Sequence, residues 1–266
     1  MIEYLYLGRV TYEDALTLQN ELVELRRAGR IGNTLLLLEH PAVLTLGRNA
    51  DRSNVIASDQ LLASRGVSLH HINRGGDVTY HGPGQLIGYP IFDLRSMKAA
   101  SGNRLGPVDF VRLMEEALIR LCGTYGVRAG RIAGLTGVWC GPAAGESGPD
   151  RKIAAIGIHV SRGITSHGFA FNLATRLSDF LLINPCGITD KPVASLNLEV
   201  ADAARLPTLE AAAHEAARQF GMVFAQPILA VESLHVLRAR AAEDTPIQPP
   251  RQVEQLAGAP HPAVRA

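Results

Sequence analysis

The sequence predicts a single α/β domain in which a mixed β-sheet is flanked by helices. Three observations carry this expectation. Short apolar runs of strand character alternate along the chain with segments whose apolar residues recur at helical spacing. The chain has 266 residues, 47% of them hydrophobic, which is enough for a substantial core. No internal repeat interrupts the alternation.

A strand over Tyr4–Arg9 leads to Thr11, an N-cap, and a helix to about Ala28 with Ala15, Leu18, Leu22 and Leu25 on one face, closed by Gly29. Thr34–Leu38 and Val43–Leu46 read as buried strands joined at Glu39-His40-Pro41, since proline cannot donate to a central ladder. A helix over Asp59–Ser64 ends at Gly66, and Val67–Ile72 is strand-like. Strands at Val78–Tyr80 and Leu86–Phe92 precede a helix from Pro107 to about Tyr125, with proline in its first turn. Val127–Ile132 and Gly137–Cys140 are further strands, and GPAAGESGPD after them reads as a flexible loop. Lys152–Val160 and Ser166–Asn172 form a hairpin around Arg162-Gly163, and Thr208–Phe220 is a late helix. The main domain is expected to span 1–226. Residues 227–266 are expected to form a C-terminal extension, with one helix-like stretch over Val231–Ala242 and partial disorder where Pro246, Pro249, Pro250, Pro260 and Pro262 break the periodicity.

Composition excludes several classes. A formal net charge of +1 gives no global case for nucleic acid or an anionic membrane surface. Arg26, Arg27, Arg30, Arg48, Arg52 and Arg74 supply either a local basic patch or an ordinary solvated surface. The N-terminal segment lacks the pattern of a secretory signal, and no apolar stretch approaches the roughly 20 residues of a membrane span. A cytoplasmic protein is expected. Three cysteines, Cys122, Cys140 and Cys186, include no CxxC pair, which argues against a disulfide framework or a cysteine-ligated zinc.

The densest chemical signal is RGGDVTYHGPGQ, from Arg74 to Gln85. Its glycines let a ligand approach the main chain, although ordinary turns around a short strand would share much of this composition. Cys186 lies on a bend in Asn184-Pro185-Cys186-Gly187, whereas Cys122 and Cys140 fall in core-forming segments and read as structural. A cysteine nucleophile needs its thiolate, hence a nearby charge or base. Lys152 shares a strand face with Ala154, Ile156 and Ile158; it is either a snorkelling surface residue or the partner that makes a cysteine–lysine dyad. Ala155, Gly157, Gly168 and Ala170 leave little side-chain bulk on their strand faces. His81 either orients an incoming amine or a dyad member, or satisfies backbone groups of the glycine loop.

The ordered set RGGDVTYHGPGQLIGYPIFDL, KIAAIGI, HGFAFNL and NPCGI resembles the octanoyltransferase family, also called lipoyl(octanoyl) transferases or lipoate-protein ligase B, over roughly Leu5 to Phe224. The resemblance implies the mixed-sheet architecture shared with biotin and lipoate protein ligases. It implies transfer of an octanoyl group from acyl carrier protein to a specific lysine of lipoyl domains in 2-oxoacid dehydrogenase complexes and the glycine cleavage H protein. Carried onto matching positions, Cys186 is the acyl-thioester nucleophile and Lys152 lowers its pKa and relays protons. One acyl-site wall is Arg74, Gly75, Gly76, Asp77, Val78, Thr79, Tyr80 and His81; a second is Ala155, Ile156 and Gly157; a third is Gly168, Phe169 and Ala170. A thioester is already activated, so no cofactor, metal or nucleotide is expected, and the working unit is expected to be a monomer. The competing readings are an ATP-dependent lipoate or biotin ligase, which needs no cysteine nucleophile, and a catalytically silent binding module.

Overall fold

The structure, a computed structural model, describes residues 1–99, 102–142, 147–184 and 191–243. Its strands are β1 (Ile2–Arg9), β2 (Asn33–Glu39), β3 (Val43–Leu46), β4 (Ser68–His71), β5 (Val78–His81), β6 (Gln85–Ile91), β7 (Gly130–Ile132), β8 (Leu135–Cys140), β9 (Arg151–Ser161), β10 (Ile164–Asn172) and β11 (Ile228–Ala230). Its helices are α1 (Tyr12–Arg27), α2 (Asp59–Ser64), α3 (Pro107–Thr124), α4 (Leu196–Glu199), α5 (Leu209–Val223) and α6 (Leu234–Ala242).

Helix starts follow local chemistry. Thr11, Ser58 and Thr208 each accept a hydrogen bond from the backbone N–H three residues on, at 3.1–3.2 Å. Such a cap stabilises a helix by about 1 kcal/mol over alanine. Proline opens α3, where its missing N–H costs nothing.

The main sheet runs β11-β1-β2-β6-β10-β9-β8-β7. It is parallel across β11, β1 and β2 and antiparallel from there on, so it is the mixed sheet expected. Alternation along β2 explains why both its faces are apolar: Leu35 and Leu37 enter the core beneath α3 and α5, while Leu36 and Leu38 enter the core beneath α1 and α6. Each such leucine contributes about 1.5–3 kcal/mol by leaving water. The first core is dominated by the aromatic group Phe92, Phe110, Phe220 and Phe224.

Two arrangements differ from expectation. β3 does not stay in the sheet with β2; it centres a second, three-stranded sheet ordered β4-β3-β5, which encloses its own core of Leu44, Leu46, Val78, Tyr80, Phe180 and Leu182. The boundary drawn at 226 falls between α5 and β11, yet residues 227–243 continue the same body. β11 pairs with β1 through Ile2↔Ile228 and its neighbours, Leu237 and Ala241 of α6 are buried, and Arg238 and Arg240 pair with Glu21 and Glu3. The expected disorder after residue 243 lies outside the described residues, as does the centre of the GPAAGESGPD loop. Among the described residues, no helix is long and apolar enough to cross a membrane.

Candidate active site

β9 and β10 present small residues to one another. Gly157 pairs with Gly168 and Ala155 with Ala170 across the hairpin. Against them lies the loop before β5, tied down where the Gly75 N–H donates to the Ile158 carbonyl at 3.0 Å. The two segments approach so closely that a Cβ on Gly157 would stand 2.8 Å from the Gly75 oxygen and 3.3 Å from Arg74 Cδ. Glycine at 157 therefore serves backbone approach, in addition to leaving space for a ligand.

Between these segments lies a cavity of about 390 Å³, whose lining includes Arg74, Gly75, Gly76, Thr79 and His81, Lys152, Ala155, Ile156 and Gly157, and Gly168, Phe169 and Ala170. The three expected walls thus come together, with three exceptions. Val78 and Tyr80 point to the opposite face of β5 and fill the core of the small sheet, where the Tyr80 hydroxyl donates to Asp179 at 2.9 Å. Asp77 turns toward the loop 51–54, accepting from the Asp51 N–H and the Asn54 amide. These three residues support the wall without lining the cavity.

Arg74 is buried, and its guanidinium donates to the Thr45 carbonyl at 2.7 Å, to Thr45 Oγ1 at 2.9 Å and to the Gly75 carbonyl at 3.0 Å. Its first observed role is to lock the glycine loop onto β3. Three of the other arginines have partners of their own. Arg27 pairs with Glu24, Arg30 donates to the Ala241 carbonyl, and Arg52 pairs with Asp59.

The inner wall holds residues that were not among the expected site residues, although Tyr89 and His167 fall inside the quoted motifs RGGDVTYHGPGQLIGYPIFDL and HGFAFNL. Tyr12, Tyr89 and His167 line the cavity, with Val111 and Leu135. Tyr12 is buried, and its hydroxyl has no hydrogen-bond partner among the described residues. His40 donates through Nδ1 to the Val10 carbonyl at 2.7 Å, so its Nε2 accepts from the Tyr89 hydroxyl at 2.7 Å. The amide of Gln85 donates to Asn172 and the Tyr80 carbonyl, which turns its oxygen toward His81 Nδ1 at 2.9 Å. His81 is therefore held by Gln85 and, at 3.4 Å, by Thr45. These two partners are side chains, not the backbone groups of the glycine loop. His167 adopts a positive φ of 55°, an uncommon conformation outside glycine, and donates through Nε2 to Asn73 at 2.7 Å.

Burial keeps these imidazoles neutral. Desolvation pushes His40 down to about 4, His81 to about 3 and His167 to about 4, with neighbouring positive or imidazole groups adding to the last two. None of them exchanges protons near pH 7. Burial likewise raises the thiols of Cys122 and Cys140, the latter to about 12, as befits cysteines inside the core.

Lys152 lies at the start of β9, its backbone N–H donating to the Pro192 carbonyl at 2.9 Å and its carbonyl accepting from the Ala194 N–H at 2.8 Å. Its ammonium sits 4.6 Å from the centroid of the Trp139 ring. Lys152 is thus a cavity-wall residue and not a solvated strand terminus. Cys186 and Gly187 lie outside the described residues. Their flanks are described: the Asn184 N–H donates to the Asn54 carbonyl at 2.7 Å, and Val193 bridges to Lys152. Among the described residues no group of three or more His, Cys, Asp or Glu side chains is arranged to hold a metal ion.

Residues 11–221 match the family model described as the lipoyl protein ligase A/B catalytic domain. An octanoyltransferase of Acidobacterium capsulatum is 62% identical over 235 residues, covering 88% of this chain and 94% of its own. One from Koribacter versatilis is 49% identical over 256 residues, covering 96% and 97%. Among solved structures, the bipartite lipoate protein ligase of Thermoplasma acidophilum aligns with a TM-score of 0.66 at 16% identity, covering 91% of each chain. A lipoate-protein ligase A bound with ATP aligns with a TM-score of 0.64 at 16% identity, covering 91% of this chain and 93% of that one. These two likenesses concern the fold.

Proposed function

The chain belongs to the lipoyl protein ligase A/B catalytic-domain family, and within it to the octanoyltransferases; from that membership we propose that it moves an octanoyl group from octanoyl-acyl carrier protein through a Cys186 thioester to the acceptor lysine of lipoyl domains. The acceptors are the lipoyl domains of 2-oxoacid dehydrogenase complexes and the glycine cleavage H protein. The reading includes a cytoplasmic location, a single chain as the working unit, and no nucleotide, metal or cofactor.

The observation that carries the proposal is the position of Lys152. It stands on the wall of a cavity otherwise floored by Ala155, Gly157, Gly168 and Ala170, while the backbone on either side of the Cys186 segment is anchored at Asn54 and at Lys152 itself. This supports a cysteine and a lysine acting on one substrate. The neutral state of His40, His81 and His167 supports it further, because it leaves proton transfer at neutral pH to another group.

In the first half-reaction the Cys186 thiolate attacks the thioester carbonyl carbon, a new carbon–sulfur bond forms, and the donor's carbon–sulfur bond breaks to release its thiol after protonation. In the second, the acceptor amine attacks the enzyme thioester. The amide bond forms, the bond to Cys186 breaks, and Lys152 passes the amine proton to the departing thiolate. The direct experiment incubates the protein with octanoyl-acyl carrier protein and a lipoyl domain, without ATP, and reads the acceptor's mass. The wild type should add one octanoyl amide and Cys186→Ala should add none. An ATP requirement would replace this reading with an adenylating ligase, and full activity of Cys186→Ala without ATP would mean that the octanoyl group passes directly from the donor thioester to the acceptor amine.

A further inference from the structure

The side chain of Lys152 is held between two features of β8. Trp139 is its paired residue across β8 and β9, and the ammonium stands over the indole face at 4.6 Å. Trp139 is 2% exposed and Lys152 is half-buried, so the contact is partly shielded from water, which strengthens the hold of an aromatic face on a cation. Gly137 supplies the other feature. A Cβ there would stand 3.4 Å from Lys152 Cε, 3.7 Å from its Cδ and 2.6 Å from the Ala154 oxygen, and the φ of 128° is closed to L side chains. The Gly137 N–H is in turn fixed by the buried carboxylate of Glu115 at 3.0 Å.

From this geometry we propose that Trp139 is a positioning residue for Lys152: its ring face holds the ammonium at the cavity wall, in the orientation from which it exchanges protons with the reacting groups. The inference rests on the reading of Lys152 as the proton relay and adds the group that aims it. Arg74, His81 and His167 share the cavity with Lys152, the adjoining Arg151 is paired with Glu199, and Glu115 is paired with Arg112 and Arg131.

Trp139 is the chain's single tryptophan, so biosynthetic fluorination of tryptophan alters this ring alone. Added fluorines keep the shape of the indole while draining negative charge from its face. Along a mono-, di- and trifluoro series, turnover to the acceptor should fall stepwise by about tenfold in all, with an unchanged denaturation midpoint. The ¹⁹F resonance should titrate with Lys152 and cease to do so in Lys152→Met. Trp139→Phe should keep turnover within about threefold, whereas Trp139→Leu should lose about tenfold, because only the first retains a ring face. Unchanged turnover across the series, with a resonance indifferent to Lys152→Met, overturns the proposal. Full turnover of Lys152→Ala would remove the relay reading and the proposal with it. An inactive Lys152→Ala beside a flat fluorine series would remove only the part given to Trp139.

Discussion

Lowering the pH from 7.5 to 5.5 should destabilise this protein by about 4 kcal/mol, because three imidazoles are buried in their neutral form. His40, His81 and His167 are held at about 4, about 3 and about 4, chiefly by desolvation, whereas in the unfolded chain each titrates near 6.5. As pH falls through 6.5, the unfolded chain binds three protons that the native state refuses, so stability declines until the folded values are reached. Between pH 7.5 and 5.5 each histidine accounts for about 1.3 kcal/mol, a figure insensitive to the folded value once that lies below about 5. Against a typical total of about 5–15 kcal/mol, the sum is a large fraction. The assay is urea unfolding at the two pH values, with free energies from the midpoints and slopes. His167→Gln should remove about a third of the loss. A loss below about 1 kcal/mol in the parent protein would mean that the imidazoles accept protons inside the fold, and the neutral cavity wall would have to be abandoned.

Other expectations concern the cavity and its supports. Ala155→Leu adds bulk at the floor and should cut octanoyl transfer by more than about tenfold while leaving a butanoyl donor within about threefold, measured as kcat/KM for each chain length. Glu115→Leu leaves the Gly137 N–H without its acceptor, while the half-exposed Arg112 and Arg131 can turn to solvent; chemical denaturation should show a loss of about 2 kcal/mol. Lys152→Arg keeps a positive charge that cannot be surrendered near neutral pH. It should slow transfer to the acceptor by about a hundredfold in single-turnover assays, with a smaller effect on donor binding.

Local chemistry made much of the fold legible in the sequence. Thr11 caps the helix it was expected to cap, the late helix begins at its cap Thr208, and the hairpin turns at Arg162-Gly163 between β9 and β10. Strand partnership was less legible. Glu39-His40-Pro41 joins two apolar runs as a simple connection would, and nothing in those residues says that β3 leaves for a second sheet. β11 was hidden for a similar reason: it is secured by backbone bonds such as Ile2 N–H to the Pro227 carbonyl and Val231 N–H to the Tyr4 carbonyl, which carry no side-chain signature.

The site divides along the same line. Contiguous motifs exposed the glycine loop, Lys152 and the small residues of the hairpin. Alternation within Val78–His81 was a usable signal that separates Thr79 and His81 from Val78 and Tyr80. Tyr89 and His167 lay inside the quoted motifs, which could have marked them, whereas Tyr12 and Trp139 had no such signal, because each meets the cavity or Lys152 only through the folded chain.

The central claim is that the octanoyl group passes through Cys186, and intact-mass spectrometry of the protein after mixing with octanoyl-acyl carrier protein tests it most directly. Without ATP and without an acceptor, the wild type should gain one octanoyl mass, removable by hydroxylamine, and Cys186→Ser should not form that thioester. A wild type that gains no mass, or a Cys186→Ser protein that gains the same hydroxylamine-sensitive adduct, would contradict it.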